Sequence, residues 1–378
     1  MFRAPLLDSI PRDIAALADY EPYARRRLDD NAWAYLDGAA GDELTRAWNR
    51  AAFDRQPLLP RVMNDVAGGH CRATLFGRDY SSPVLLAPVA WQKLFHPEGE
   101  RASAYAAAAL GAGMILSTLA SCTLEDVAAI SRQAGNGPRW FQLYLQAERE
   151  HSAELVQRAE AAGYEAIVFT VDAPLNGIRN REQRIGFQLP PGVDSANLLR
   201  STAKNGQNPN AGGSAVFDGL MQHAPTWHDL EWLLSLTRLP VIVKGVLHPD
   251  DALRAVEMGA AGIVVSNHGG RTLDTLPASL DALPAIARRL QGRVPILLDG
   301  GIRRGSDIFK AIALGASAVL IGRPYIHALA AVGPLGVAHV LRLLHDELEA
   351  TMALCGVARL EQISSEYLYD FPARRTPA

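Results

Sequence analysis

The sequence predicts an α/β fold in which eight parallel strands and their intervening helices close into a (β/α)8 TIM barrel. Three observations carry this reading. From residue 83 onward one pattern recurs: a short apolar run, a polar turn, then an amphipathic stretch rich in Ala and Leu, often ending at Gly. The apolar runs are unbroken rather than alternating, which suits strands buried on both faces, as parallel sheets require. Eight such units fill 83–356, more than an open doubly wound sheet usually holds and what a barrel needs.

Taken in order, residues 1–82 carry helical patterns at 12–35 and 42–52 and a hairpin around Gly77. This segment is expected to cap or plug the bottom of the barrel. The strand runs are PVLLAPVA (83–90), MILST (114–118), RWFQLYL (139–145), EAIVFTVD (165–172), PVIVKGV (240–246), GIVVSN (262–267), VPILLDGG (294–301) and AVLIGR (318–323). Helices between them have start signals at Thr123, Asp250 and Ser306. Gly113, Gly163, Gly259 and Gly315 fall where helices should end. Residues 173–226 separate the fourth strand from its helix, and their middle, 201–213, is polar and poor in structure formers. A connection of that length inside a compact domain predicts a lid loop or a disordered tract. The whole chain, 1–378, therefore reads as a single barrel domain with core 83–356, N-terminal cap 1–82 and lid 173–226.

With 48% hydrophobic and 20% charged residues, the composition excludes a disordered or fibrous chain. A formal net charge of −3 gives no electrostatic case for nucleic acid or an anionic membrane. Cys71, Cys122 and Cys355 are odd in number and widely spaced, which fits buried free thiols in a reducing compartment. No apolar stretch reaches about 18 residues, and Met1–Ile10 contains Arg3 and Asp8, so neither a membrane span nor a signal peptide is expected. The reading is a cytoplasmic protein.

In a barrel, chemistry sits at the C-terminal strand ends. Read off in turn, they are Ala90, Ser117 and Thr118, Gln142 and Tyr144, Thr170 and Asp172, Lys244, Ser266 and His268, Asp299 with Gly300 and Gly301, and Gly322 with Arg323. Capping explains one or two polar strand ends, not a ring of ten. After the last two strands, DGGIRRG (299–305) and GRP (322–324) offer glycines, helix N-termini, Arg303 and Arg323, which together suit a phosphate. His268 can take a proton near neutral pH, with Asp172 as its acidic partner and Arg271 placed for a carboxylate. Lys244 suits a Schiff-base amine or a fixed cation beside an electron-rich cofactor. His96 reads as a helix cap, and Trp140 and Phe141 as packing.

These residues form motifs in a shared order: HPEGE (96–100), FQLY (141–144), TVD (170–172), IVKGV (242–246), SNHGGR-x-LD (266–274) and LDGGIRRG (298–305). From about residue 20 to 370 the chain resembles the FMN-dependent α-hydroxy-acid oxidase and dehydrogenase family. The resemblance implies that His268 is the base at the substrate hydroxyl or α-carbon, held by Asp172. Arg179 and Arg271 clamp the substrate carboxylate so that the C–H bond faces flavin N5, while Tyr35 and Tyr144 hydrogen-bond substrate oxygens. Lys244 sits near N1 and O2 of the flavin. Val89, Ala90, Ser117, Gln142, Thr170 and Ser266 contact the isoalloxazine and ribityl chain, and Asp299, Gly301, Arg303, Gly322 and Arg323 hold ribityl and phosphate. FMN is thus the expected cofactor, with no metal, and a homotetramer is the family's common assembly.

Two positions depart from parts of the family. Leu119 replaces a Trp that crowds the pocket in glycolate oxidase, which frees apolar space for a medium or aryl (S)-2-hydroxy acid, mandelate- or lactate-like. Ala90 is the residue type of the oxidases, where mandelate dehydrogenases have Gly, and this favours O2 as acceptor with H2O2 as product. A dehydrogenase with another acceptor, a lactate 2-monooxygenase and a flavin-barrel isomerase are the alternatives.

Overall fold

The computed structural model describes residues 2–198 and 214–370, so the polar run 201–213 lies outside the described residues. After α1 (Tyr20–Arg27), α2 (Asp30–Asp37) and α3 (Leu44–Asp54), strands β1 (Ala73–Leu75) and β2 (Arg78–Tyr80) form an antiparallel hairpin. Phe76 and Gly77 turn it with φ of 51° and 76°, the left-handed pair that tight hairpins require. The barrel strands follow: β3 (Val84–Leu86), β4 (Gly113–Ser117), β5 (Arg139–Leu143), β6 (Ile167–Thr170), β7 (Val241–Val246), β8 (Gly262–Val265), β9 (Ile296–Asp299) and β10 (Ala318–Ile321). All pair in parallel, in chain order, and β10 returns to β3 to close the barrel.

Helices α4 (Glu100–Ala109), α5 (Leu124–Gln133) and α6 (Arg149–Ala161) cover the first crossovers. The short α7 (Asn180–Arg184) lies in the loop after β6. Then come α8 (Trp227–Leu236), α9 (Pro249–Glu257), α10 (Ser279–Leu290), α11 (Gly305–Ala313), α12 (Arg323–Val332) and α13 (Pro334–Cys355). Helix α5 shows why these segments fold as they do. Thr123 accepts the Asp126 N–H at 3.2 Å, and Leu124, Val127, Ala128 and Ser131 bury one face at spacings of three and four.

The unbroken apolar runs are explained by two-sided burial. Leu85, Ile115, Val168, Ile242, Val264, Leu297 and Leu320 fill the barrel interior. Their neighbours Val84, Leu86, Leu116, Ile167, Phe169 and Val265 face the helices. Trp140, 1% exposed, fills the lower interior against Phe76 and Tyr80, with ring centroids 5.5 and 6.4 Å away.

The hairpin thus plugs the bottom as expected, but the N-terminal helices do not. Helices α2 and α3 cross to the opposite end, where the α3 residue Asn49 trades two side-chain hydrogen bonds with Asn267 at 2.9 and 2.8 Å. Helix ends also differ in detail. Gly111, with φ of 64°, ends α4, while Gly113 opens β4, where an added Cβ would meet Leu85 and Tyr80 at 2.8 Å. Helix α9 starts one residue earlier than Asp250, behind Pro249 and a His248 cap, and α11 starts at Gly305. His96 accepts the Glu98 N–H at 3.2 Å in the turn before α4 rather than capping the helix itself.

Replacing Trp140 with Ala should cost about 3–5 kcal/mol, because a fully enclosed indole leaves a cavity that strands on every side prevent from collapsing. Chemical denaturation of the variant beside wild type measures this.

Candidate active site

The C-terminal strand ends open into one cavity of about 830 Å³. Val89, Ala90, Ser117, Leu119, Tyr144, Thr170, Lys244, His268, Asp299, Gly301, Arg303, Gly322 and Arg323 line it from the barrel. Tyr35 enters from α2, Arg179 from the loop after β6 and Arg271 from the turn after β8. Gln142, Asp172 and Ser266 stand directly behind this wall. Of the polar strand ends, Thr118 is structural: its hydroxyl donates to Gln142 O at 2.6 Å and accepts the Tyr144 N–H at 3.0 Å.

A polar chain crosses the cavity floor. His268 Nδ1 is 2.9 Å from Asp172 Oδ1, and its Nε2 is 3.4 Å from the Tyr144 hydroxyl. Burial alone would push the Asp172 carboxyl up, but the charges of His268 and Lys244 outweigh it and hold Asp172 below the usual carboxylate range. The Asp172 carboxylate accepts a hydrogen bond from Nδ1–H, which turns Nε2 toward the cavity. Burial also pushes the Tyr144 and Tyr35 phenols up, and both remain donors.

The local backbone is shaped for this contact. Gly245 has φ of 104° at a register shift in β7, and a Cβ there would lie 2.4 Å from that of Asp172. Only glycine admits this approach. His268 itself has φ of 57°, unusual for a side-chain-bearing residue, and heads a left-handed run with Gly269 and Gly270. Ser266 Oγ accepts the His268 N–H at 3.0 Å, and Asn267 Oδ1 accepts the Gly270 N–H at 3.2 Å.

Lys244 donates to Ser266 Oγ at 2.9 Å and pairs with Asp299 Oδ2 at 3.1 Å. Burial would push its ammonium down, but Asp299 and Asp172 hold it above its ordinary value. A lysine kept protonated is a fixed cation and a poor Schiff-base nucleophile.

FMN suits what these residues leave unmet. Gln142 Nε2, Thr170 Oγ1 and Asp299 Oδ1 are buried without a hydrogen-bond partner, each a cost of about 1–3 kcal/mol that a polar heterocycle or polyol would relieve. At the far end, burial together with Arg46 and Arg50 pushes Arg303 down to about 10. Arg323 is lowered too, by burial and by Arg271, Arg46 and Arg303. Such a cluster of crowded cations calls for an anion, and the N-terminus of α12 points there. A Cβ on Gly322 would meet nothing nearer than Ala87 at 4.0 Å, so the cradle has room.

The glycine pair after β9 has a further cause. A Cβ on Gly301 would sit 2.2 Å from Asn49 O, so this pair admits α3 as well as any phosphate. Sequence reasoning missed Asn49, Arg50, Asp307 and Glu182. Arg50 donates to Gly301 O at 2.9 Å and pairs with Asp307, whose carboxylate accepts the Arg303 and Arg304 N–H groups at 2.8 and 3.0 Å. Asp307 had a signal, three residues after Arg304 at a helix start. Asn49 lies 218 residues from Asn267, and Arg50 lies 251 from Gly301 and 257 from Asp307; neither had a signal.

The chain matches the family model described as FMN-dependent dehydrogenase over residues 24–370. It is 52% identical over 361 residues to an L-lactate oxidase of Alicycliphilus denitrificans, which covers 96% of this chain and 98% of that protein. It is 43% identical over 370 residues to a glycolate oxidase of Spinacia oleracea, covering 97% and 99%. A solved structure of mandelate oxidase with benzoyl-formic acid is similar with a TM-score of 0.84 at 41% identity, covering 94% of this chain and 98% of that one.

Thr170→Val tests the fit. The hydroxyl has no partner without cofactor, so the apoprotein should be as stable as wild type or more so. FMN binding should weaken about 5–10-fold, the worth of one hydrogen bond. Fluorescence titration of apoprotein with FMN gives both comparisons when paired with thermal melts.

Proposed function

Because the chain belongs to the FMN-dependent dehydrogenase family, we propose that the cavity binds a monocarboxylate (S)-2-hydroxy acid and that the residues lining it carry out its oxidation. The enzyme is an FMN-dependent 2-hydroxy-acid oxidase: 2-hydroxy acid and O2 give 2-oxo acid and H2O2. Bound FMN supplies the two-electron acceptor that the side chains lack. Every other requirement falls on the chain.

The observation that carries this reading is the facing arrangement of acceptor and clamp. His268 Nε2, directed into the cavity by the contact of Nδ1 with Asp172, is the base for the substrate hydroxyl or α-carbon proton. Asp172 then stabilises the imidazolium that forms. Arg179 and Arg271 hold the carboxylate, with Arg271 stacked 4.8 Å over the Tyr35 ring. Tyr144 donates to a substrate oxygen beside His268. Lys244 would stand beside the bound cofactor as a fixed cation, and Arg303, Arg323, Asp299 and the glycines would hold its polar tail.

Part of the remaining wall is an apolar and aromatic patch, which supports a medium or aryl side chain. Leu119 and Leu145 line it, and Trp91 and Phe187 flank Tyr35 with centroids 5.4 and 5.1 Å away. We place the enzyme in a reducing cytoplasm, a reading supported by three buried unpaired thiols. Among the described residues no helix is long and apolar enough to cross a membrane. A homotetramer is supported by apolar side chains left exposed on outer helices, Tyr105 and Leu354 among them.

Anaerobic bleaching of the holoenzyme with (S)-mandelate, (S)-lactate and glycolate, followed by air, tests the reading. Mandelate or lactate should bleach fastest and air should restore colour quickly; glycolate as the best substrate would refute the pocket argument, and slow reoxidation would refute oxygen as acceptor. His268→Gln should cut the bleaching rate by about 10³–10⁴-fold while FMN stays bound. Leu119→Trp should shift preference toward glycolate by narrowing the wall.

A further inference from the structure

The carboxylate clamp already contains a carboxylate of the chain's own. Glu182 Oε1 accepts from Arg179 Nη1 at 3.2 Å and from Arg271 Nη2 at 3.2 Å, and its Oε2 accepts from Arg179 Nη1 at 3.3 Å. All three side chains are largely enclosed: exposures are 15%, 14% and 14% for Arg179, Arg271 and Glu182.

The two arginines depend on this bridge unequally. Arg271 is anchored elsewhere, donating from Nη1 to Tyr35 O and Gly38 O, both at 2.7 Å. Among the described residues, Arg179 has beyond Glu182 a single 3.3 Å bond from Nε to Arg271 O. Two enclosed guanidinium groups repel, and burial together with the charge of Arg179 pushes Arg271 below its ordinary value. Glu182 cancels one of the two charges, which leaves a site of net charge +1 for a monocarboxylate. Arg179 Nη2 donates in no hydrogen bond among the described residues.

We propose that Glu182 is the positioning residue of the clamp: it holds Arg179 beside Arg271 before substrate arrives, so that the incoming carboxylate meets two fixed donors. This rests on the assignment of Arg179 and Arg271 as the substrate's carboxylate partners. Glu182→Ala should then leave a carboxylate-sized gap between the arginines, which a small anion can fill.

The test uses FMN-loaded enzyme and two readouts: KM and kcat for (S)-lactate, and the Kd of benzoate, which cannot be oxidised, from its perturbation of flavin absorbance. Glu182→Ala should raise KM and the benzoate Kd about 10–100-fold with a smaller effect on kcat, as Arg179→Met should. The double variant should be no worse than Arg179→Met alone, and millimolar formate should restore Glu182→Ala but not Arg179→Met. Glu182→Gln, which keeps the side-chain shape, should change in the same direction if the alanine variant does not fold. Benzoate affinity within twofold of wild type, additive losses in the double variant, or no formate rescue of folded Glu182→Ala would each overturn the proposal. If wild type binds benzoate through Glu182 yet oxidises no 2-hydroxy acid, the oxidase reading fails and the positioning role stands.

Discussion

Asp172 has to stay ionised while almost wholly enclosed by protein, and three barrel strands are arranged around that requirement. Desolvation of a carboxylate is expensive. Lys244 from β7 and His268 from the turn after β8 supply the compensating charge, and Gly245 supplies the space, because any Cβ there would displace the carboxylate. The register shift beside Gly245 lets Lys244 and Val246 both stay in the sheet while the chain kinks to make that space. Asp299 from β9 then satisfies the Lys244 ammonium a second time. Asp172, His268, Lys244 and Asp299 therefore form one ionic network.

The same economy of charge governs the rim, where arginines outnumber nearby acids. Arg46 and Arg181 share Asp37 at 2.5 and 2.7 Å, and Arg181 also reaches Glu43 at 2.6 Å. These pairs join α2, α3 and α7, elements from opposite sides of the cavity mouth. Arg323 is held instead by carbonyls of Leu36, Gly269 and Gly38 at 3.2, 3.0 and 2.9 Å. Carbonyl partners fix a guanidinium without neutralising it, so its charge remains available to a phosphate. The N-terminal helices thus close the top of the barrel and set which cations are neutralised and which are not.

The barrel was legible because its pattern is redundant: eight unbroken apolar runs and eight helices report one architecture. His268, Asp172, Lys244 and the phosphate loops were legible because strand ends are where a barrel concentrates polar groups. Strand lengths were overread, as in 83–90 against Val84–Leu86, because the chain leaves the hydrogen-bonded ladder to aim residues such as Ala90 into the cavity. The course of α2 and α3 was not legible. A helical pattern gives amphipathicity but not destination, and the amide pair Asn49–Asn267 joins residues 218 apart. Glu182 escaped for a related reason: on a five-residue helix a glutamate reads as solvated, and only the fold brings Arg271, 89 residues away, against it.

The two ends of the cavity are prepared for binding in different ways, and the difference bears on order. At the phosphate end the arginines, Asp307 and α12 are already fixed by bonds within the protein, so an anion gains attraction without ordering side chains. At the heterocycle end Gln142, Thr170 and Asp299 hold unsatisfied polar atoms behind a rigid wall, which binding relieves. Cofactor affinity and fold stability are then coupled, since what fills those bonds favours the folded state. The proposed clamp differs again: Arg179 and Glu182 lie on the long loop after β6, not on a strand. Because the proposed clamp is carried by the loop and the ionic network around Asp172 by the barrel strands, a change in the loop need not disturb that network.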